Sequence, residues 1–384
     1  MRAKNISNQG FFSFGGGTID LPALYSILIL QFIGLAILFS ASTVTSLREF
    51  NDPYFLLKKQ SLWALISFIA FFIFLNFSYE NLKRFSLLSI IFSIFLLILV
   101  FVPGLGRSVD THYGRNFSRW VNLGFIQFQP SEFAKISIIL YVSHILVKYR
   151  SGEENTLKFF VPPAVLLGVV IILIFLEPAY STSVEIILLI GILFFLDGFP
   201  IGKLFIFIMA ITPLLLMLVV FVGYRKKRID VWLNPYNYRF DEGHQSVSSF
   251  RSFMEGGIFG NPLSTGYSHR YLTYSHTDFV LATFVEDYGF IGFILLSGLF
   301  FFLLFRFTIL LKKVTDPFGF LLGAGLLSVL SVQIIVNMYV VTGIFPITGI
   351  SLPFLSYGGS SLLTVLISLG ILLNITRTEN LSDS

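Results

Sequence analysis

The stretch LPALYSILILQFIGLAILFSAS, residues 21–42, decides what kind of protein this chain is. It is apolar over about the 20 residues that a helix needs to cross the hydrocarbon core of a bilayer. The apolar region of a cleaved signal peptide is shorter than this, at 7–15 residues. We therefore interpret residues 21–42 as an uncleaved first membrane span.

The composition extends this interpretation to the whole chain. Of the 384 residues, 55% are hydrophobic and 12% are charged, and the mean hydropathy is +0.82. A soluble domain carries about 25% charged residues. The composition therefore predicts a polytopic membrane protein with no large soluble domain. The absence of cysteine excludes thiol chemistry, disulfides and thiolate metal sites.

Ten apolar segments follow one another along the chain. Backbone groups in lipid must be bonded within their own segment, so each apolar segment is predicted to be a helix. The sequence predicts an all-α fold with about ten transmembrane helices in a single domain, residues 1–384, and a large outer loop between helices seven and eight. The segments are roughly 21–43, 57–77, 85–102, 131–148, 159–176, 182–198, 203–223, 278–305, 317–342 and 358–375.

Basic residues in the short loops set the predicted orientation. Short cytoplasmic loops are enriched in Lys and Arg, and the pattern places both termini in the cytoplasm. Two long outer loops, about 103–130 and 224–277, are nevertheless rich in Arg and Lys. Their charge either anchors the chain to lipid headgroups or binds an anionic ligand. A nucleic-acid partner is not expected, because the densest basic run, YRKKR, directly follows a membrane segment. The basic residues assigned to the cytoplasmic side include Lys83, Arg84, Lys148, Arg150, Lys312 and Lys313.

The stretch YSHTDFVLATFVEDYG, residues 274–289, places three acids at the start of a predicted span. A carboxylate in hydrocarbon is costly unless it has a partner or water. Asp278 or Thr277 would serve as a helix N-cap. Alternatively, Asp278 takes a proton from a substrate hydroxyl, and His276 tunes it or binds substrate. Glu286 and Asp287 lie deeper, where an acid is either functional or paired with Arg or Lys of a neighbouring helix.

The stretch SRWVNLGFIQFQPSEFAK, residues 118–135, ends in a second charged pattern. Glu132 and Lys135 are three residues apart, so they share one face of the predicted fourth helix. They form either a structural ion pair or a charged couple that faces a water-filled cavity. Arg119 and Trp120 suit the membrane interface or a ligand.

The stretch FPITGISLPFLSYGGSSLL, residues 345–363, is dense in Pro, Gly and Ser at a membrane edge. Non-helical backbone at that depth lies only against protein or a water-filled cavity. Ser356, Gly358, Gly359 and Ser360 therefore indicate either tight helix packing or a ligand site. From these residues alone, the chain is a transporter or a membrane enzyme that acts on an anionic lipid.

Three stretches closely resemble the SEDS family, which includes FtsW, RodA and SpoVE. They are RWVNLGFIQFQPSEFAK (119–135), HTDFVLATFVEDYGFIG (276–292) and NMYVVTGIFPITGISLPFLSYGGSSLL (337–363). The likeness extends from the first to the last predicted helix. It implies a peptidoglycan glycosyltransferase that polymerises lipid II at the outer face of the bacterial cytoplasmic membrane. The implied partners are lipid II, a class B penicillin-binding protein, and other membrane proteins of the division or elongation machinery.

The resemblance also implies roles for individual residues. The family's essential aspartate falls at Asp278, and its Glu and Lys of the QPSExxK motif fall at Glu132 and Lys135. Asp278 would act as general base on the GlcNAc 4-hydroxyl that attacks the MurNAc anomeric carbon, with undecaprenyl diphosphate as leaving group. Cationic side chains would stabilise the departing charge, with a divalent cation, Mg²⁺ or Mn²⁺, as an alternative and no other cofactor. The candidate cations are Arg48, Lys59, Lys135, Arg119 and Arg225.

Alternatives within and outside the resemblance stay open on the sequence. A lipid II flippase and a non-catalytic division scaffold are the rival functions. The ending of the first helix favours FtsW, and hence septal synthesis, over RodA. Three departures from the family pattern stand out: Ala179 replaces an acid, Asn261-Pro262 interrupts a Gly-rich run, and the usual Glu-Glu pair reads Glu286-Asp287.

Overall fold

The structure is a computed structural model in which apolar helices form one bundle. It describes residues 11–14, 17–110, 116–122, 124, 127–150, 157–177, 179–200, 202, 223–263, 266–272 and 275–377. The α-helices are α1 Leu21–Phe50, α2 Phe55–Asn76, α3 Tyr79–Leu99, α4 Pro130–Arg150, α5 Val161–Leu176, α6 Tyr180–Leu196, α7 Gly223–Leu233, α8 His244–Gly256, α9 Ser268–Tyr271, α10 Val280–Leu311, α11 Pro317–Val341 and α12 Gly359–Ile375. Two 3₁₀ turns cover Leu157–Phe160 and Pro235–Tyr238.

The predicted all-α membrane fold is confirmed. Helices α1, α2, α3, α4, α10 and α11 are each long and apolar enough to cross a bilayer, and α5, α6 and α12 are shorter apolar helices. These nine correspond to nine of the ten predicted segments. The seventh predicted segment, 203–223, lies almost wholly outside the described residues, so a count of ten spans stays a prediction.

Two helices form the centre of the bundle. In the most apolar window of each helix, 72% of α4 and 61% of α11 is buried, against 28% of α2 and of α3. Helix α2 packs against α12, α3 against α4, and α10 against α1 and α8. Because α4 and α11 are surrounded by protein, their polar side chains lie inside the bundle, while the apolar surfaces of α2 and α3 face outward.

The predicted outer loop after α3 contains a small antiparallel sheet. Its strands are β3 Gly106–Asp110, β4 Asn116–Asn122 and β5 Gln127–Phe128, in the order β3-β4-β5. A hairpin at the N-terminus pairs β1 Phe11–Phe14 with β2 Gly17–Asp20; we number the five strands in chain order. In the three-stranded sheet, Arg107 lies opposite Trp120, and a register shift follows Arg107. The sheet thereby fixes the backbone of Arg119 at this end of the bundle.

Helix α10 is broken at Gly289, where φ is +66°. The backbone groups that the break releases bond to the turn after α8: Phe290 N–H donates to Gly257 O at 2.9 Å, and Asn261 N–H donates to Glu286 O at 2.9 Å. A Cβ at Gly289 would clash with the backbone oxygen of Ile258. The break therefore joins the outer loop to the first part of α10, which carries the acids.

We expect Gly289→Ala to destabilise the protein, because alanine there is strained in conformation and collides with backbone. A strained backbone of this kind costs about 1–3 kcal/mol. Thermal unfolding in detergent measures the effect. Gly298→Ala is the matched control on the same helix, since a Cβ there meets nothing within 4 Å. Equal melting temperatures for the two variants would contradict the role of the break.

Candidate functional site

Asp278 lies in the turn that precedes α10, with its side chain half-buried. The cap residue of α10 is Phe279, whose side chain makes no capping bond. Asp278 and Thr277 therefore lie before the cap position that the sequence suggested for them. Asp278 is held through its backbone instead, since Asn337 Nδ2 of α11 donates to Asp278 O at 2.9 Å and to Ile350 O at 2.8 Å.

The segment 345–358, here called the covering loop, lies directly against the Asp278 carboxylate. Gly349 has φ +75°, and a Cβ added to it would be 3.4 Å from Asp278 Oδ2. A side chain at this position would be strained by the backbone conformation, and its Cβ would lie in van der Waals contact with the carboxylate. Gly349 thus meets a conformational requirement of the covering loop at a point next to Asp278.

Hydrogen bonds tie the covering loop to the residues before Asp278. Ser356 Oγ accepts from Leu352 N–H and donates to Thr277 O, both at 2.8 Å. Tyr357 N–H donates to His276 O at 2.8 Å. Ser356 and Thr277 are both predicted site residues, and the hydrogen bond between them holds the covering loop to the turn that carries Asp278.

Helices α6 and α7 also bond to the covering loop. Ser181 Oγ, in the first turn of α6, donates to Thr348 O at 2.8 Å. Arg228 of α7 donates to Ile347 O at 3.2 Å. Four consecutive carbonyls, from 347 to 350, lie around Gly349, and three of them accept from side chains of other helices.

Burial and two arginines together set the charge state of Asp278. Burial raises the pKa of Asp278 to about 6, and Arg119 and then Arg228 act in the opposite direction. Asp278 is therefore mostly ionised at neutral pH yet still basic enough to accept a proton. Arg119 was a predicted site residue, whereas Arg228 was only part of a basic run. Arg119 Nε also donates to Glu177 O at 3.3 Å.

His276 is not a cation in this site. Burial lowers its pKa to about 4, so the imidazole is neutral at physiological pH. Its Nδ1 is buried and has no hydrogen-bond partner within the described part of the chain. The ring lies edge-on to Tyr357, with the centroids 5.9 Å apart.

Glu132 and Lys135 form a buried ion pair, with Lys135 Nζ 2.9 Å from Glu132 Oε1. A third member was not predicted: Glu185 Oε2 of α6 is 3.6 Å from the same nitrogen. Glu132 Oε2 accepts from Thr364 Oγ1 of α12 at 3.3 Å. This cluster joins α4, α6 and α12. The only sequence signal for Glu185 is an isolated acid within an apolar helix, which is a functional candidate by default.

The small residues after the covering loop pack the bundle. A Cβ at Gly359 would collide with the Trp63 ring of α2, and Gly358 N–H donates to Gln60 Oε1 at 3.2 Å. Ser360 Oγ accepts from Gln129 N–H at 3.0 Å, next to the start of α4. The packing interpretation thus holds for Gly359, and Ser360 links the first turn of α12 to the start of the Glu132 helix.

The other predicted site residues lie apart from these contacts. Arg48 and Lys59 are exposed at the ends of α1 and α2, and Lys59 Nζ lies 4.6 Å from the centroid of the Phe55 ring. Trp120 is half-buried in β4. Arg225 belongs to α7, but its side chain is outside what the structure describes.

The two deeper acids of α10 have structural partners, though not the Arg or Lys that the sequence suggested. Glu286 is fully buried and accepts from Ser268 N–H at 2.8 Å, and also from Tyr267 N–H. Asp287 accepts from Ser40 Oγ at 2.7 Å and lies 2.8 Å from His269 Nε2. These bonds attach α9 and α1 to α10.

A divalent cation at Asp278 stays a prediction of the sequence. The residues described here contain no group of three or more His, Asp or Glu placed to hold a metal ion by themselves, but Mg²⁺ usually binds through one or two carboxylates together with substrate phosphates. The charged groups acting on Asp278 are guanidinium groups. The arrangement suits an anionic ligand.

Comparison with known proteins places the chain among cell-wall proteins. The model of the FtsW, RodA and SpoVE family, described as cell cycle protein, matches residues 22–381. The probable peptidoglycan glycosyltransferase FtsW of Geobacter sp. (strain M18) is 35% identical over 358 residues, covering 93% of this chain and 96% of that protein. Stage V sporulation protein E of Bacillus subtilis (strain 168) is 35% identical over 363 residues, covering 93% and 97%.

Solved structures share the fold along nearly the whole chain. A chain of a peptidoglycan synthase complex, studied for its coordination of polymerization and crosslinking, gives a TM-score of 0.77 at 27% identity, covering 95% of this chain and 99% of that one. The rod shape determining protein RodA of Thermus thermophilus gives 0.68 at 25% identity, covering 95% and 98%.

We expect Lys135→Met to destabilise the bundle strongly, because it leaves Glu132 and Glu185 buried without their cation. Removing one partner of a buried ion pair costs about 3–5 kcal/mol. Thermal unfolding in detergent measures the loss. Lys58→Met is the matched control, since Lys58 pairs with Asp52 at 2.8 Å but its side chain is 68% exposed. A melting temperature for Lys135→Met as high as that of the control would contradict the structural role of the cluster.

Proposed function

Since this chain belongs to the FtsW, RodA and SpoVE family of cell cycle proteins, we propose that the Asp278 turn and its covering loop are where it carries out glycosyl transfer. The chain is a peptidoglycan glycosyltransferase and a multi-pass membrane protein. The observation that carries the site assignment is a half-buried carboxylate near two arginines, with glycine backbone against it.

In the proposed reaction, Asp278 is the general base. It takes the proton from the 4-hydroxyl of the acceptor GlcNAc as that oxygen bonds to the anomeric carbon of the donor MurNAc. The bond from that carbon to the diphosphate oxygen breaks, and undecaprenyl diphosphate leaves with the electron pair. Attack opposite an α-linked diphosphate inverts the centre and yields a β-linkage. A base performs best when its pKa is near the working pH, which favours Asp278.

Arg119 and Arg228 are proposed to stabilise the charge of the departing diphosphate. Guanidinium groups match phosphate oxygens in geometry and remain charged at all relevant pH values. Fixed charges in a partly dry site stabilise a transition state more than they would in water. The proposal assigns this role to arginine, with a divalent cation as the alternative.

The proposed substrate is lipid II, bound from the outer leaflet of the bacterial cytoplasmic membrane. The charge pattern of the loops supports cytoplasmic termini and an outward-facing Asp278 end. A class B penicillin-binding protein is the proposed partner, because a similar chain belongs to a complex that couples polymerization to crosslinking. Relatives named FtsW favour a role in cell division.

The chemistry of the Asp278 site favours an enzyme over the two rivals. A scaffold does not require a half-buried carboxylate on which the charge of two arginines acts. A flippase needs access from both sides, whereas the proposed site lies at one end of the bundle. Polymerisation of purified lipid II by the purified protein with its partner separates these functions. Absence of polymer would favour transport or scaffolding.

We expect Asp278→Asn to lose polymerase activity by about 10²–10⁴-fold, the usual contribution of a general base. The amide has the same shape but cannot accept the proton. Gel analysis of glycan strands made from purified lipid II measures the activity. Asp52→Asn is the matched control at the same end of the bundle, where Asp52 is bonded to the exposed Lys58. Strands of normal yield from Asp278→Asn would refute the assignment of the base.

We also expect an acidic limb in the pH dependence of polymerisation. Because the pKa of Asp278 is about 6, the ionised fraction falls by about tenfold between pH 7 and pH 5. Initial rates at saturating lipid II across this range would test the expectation. A rate that does not change down to pH 5 would show that the base is a group with a lower pKa.

A further inference from the structure

Glu177 is a buried acid that the mechanism above does not use. It directly follows α5, it is 1% exposed, and both of its carboxyl oxygens lack a hydrogen-bond partner among the residues that the structure describes. Leaving a buried polar group unpaired is costly, so such a group is retained where it has a role. In the Glu286 carboxyl, by contrast, each oxygen accepts a backbone N–H bond, one from Tyr267 and one from Ser268 at the start of α9.

Glu177 and Asp278 share one cation. Arg119 Nε donates to the backbone oxygen of Glu177 at 3.3 Å, and the Arg119 charge acts on both carboxyl groups. Ser181, four residues after Glu177, holds Thr348 of the covering loop, next to Gly349 and the Asp278 carboxylate. Glu177 is thus part of the same polar assembly as Asp278, with Arg119 as the link.

We propose that Glu177 is a positioning residue for glycosyl transfer: its carbonyl holds Arg119 near Asp278, and its uncharged carboxyl leaves the guanidinium charge to Asp278 and the diphosphate. An ionised Glu177 would compete for Arg119 and draw the charge away from the reacting groups. The inference rests on the proposed function of Asp278 and Arg119, and it adds a protonation state on which that function depends.

Glu177 and Asp278 have different pKa values because their surroundings differ. Burial raises the pKa of Glu177 to about 8, against the effect of Arg119, whereas that of Asp278 is about 6. At neutral pH, Glu177 therefore keeps its proton while Asp278 is ionised. Divergent pKa values in one site are typical of acid and base pairs with distinct roles.

Other ionisable groups near these elements have partners of their own. On α4 and α6, Glu132, Lys135 and Glu185 form the buried cluster. On α7, Arg228 bonds the covering loop and acts on Asp278. Arg119 of β4 is the charged group that acts on Glu177, so a change of protonation there is transmitted through Arg119.

The test is the ratio of polymerisation rates at pH 9 and pH 7, measured with the full-length protein, its penicillin-binding partner and purified lipid II. For the wild type we expect a fall of about tenfold, because the protonated fraction of a group with pKa 8 falls by that factor. In Glu177→Gln, which is uncharged at every pH, we expect a ratio at least about fivefold higher than in the wild type. Glu49→Gln, an exposed acid at the same end of the bundle, is the matched control and should keep the wild-type ratio.

A double variant tests whether the effect passes through Arg119. In an Arg119→Ala background the rate is lower, and Glu177→Gln should no longer change the ratio between the two pH values. If Glu177→Gln alone has the wild-type ratio, or if the wild type shows no fall between pH 7 and pH 9, the proposal is overturned. If Glu177→Gln fails to fold, the wild-type rates at pH 7 and pH 9 still test the proposal. In that case, the proposal is supported if the rate of Arg119→Ala does not fall between pH 7 and pH 9.

The outcome is separable from that of the proposed function. If the wild type polymerises and Asp278→Asn does not, the base assignment stands whatever Glu177→Gln shows. If Asp278→Asn polymerises normally, the base assignment fails on its own evidence. The pH ratio then still reports whether Glu177 acts on Arg119.

Discussion

The site depends on one constraint: non-helical backbone inside a membrane bundle must have its polar groups bonded by protein. The covering loop meets this constraint through side chains of other helices. Asn337 of α11, Ser181 of α6 and Arg228 of α7 each bond a carbonyl of this loop. The same bonds place Gly349 of the loop next to the Asp278 carboxylate. The side-chain bonds that stabilise this loop within the bundle are therefore also the ones that build the site.

The three acids near the start of α10 perform different tasks because their surroundings differ. Glu286 and Asp287 are buried and bonded to α9 and to Ser40, so they hold the bundle together. Asp278 sits two residues before the helix, half-buried and subject to arginine charge. An acid with fixed short partners is a poor base, whereas one with a raised pKa and access to a ligand is suited to proton transfer.

Beneath this site, the buried cluster of Glu132, Lys135 and Glu185 joins α4 and α6, the helices from which the covering loop and the sheet are supported. The cluster and the site are connected through Ser360, which bonds the residue before α4. A rigid base of this kind maintains catalytic geometry, because reacting groups must be held to within about 0.5 Å. The small sheet β3–β5 likewise holds the backbone of Arg119, whose side chain bonds to Glu177 O at the end of α5.

By itself, the sequence determined the apolar helices and the start of α4 at Pro130, because apolar length and proline have local causes. It singled out Asp278 as a candidate, because a carboxylate at a membrane edge is costly without a partner or a role. It did not determine which charges meet. Glu185 joins Lys135 across 50 residues of chain, and Arg119 and Arg228 converge on Asp278 from distant segments. Hydropathy reports how deep a residue lies but not which neighbour it faces. Only the packing of the helices decided that Glu177 lies within reach of the Arg119 charge, and that Gly349 lies next to the Asp278 carboxylate.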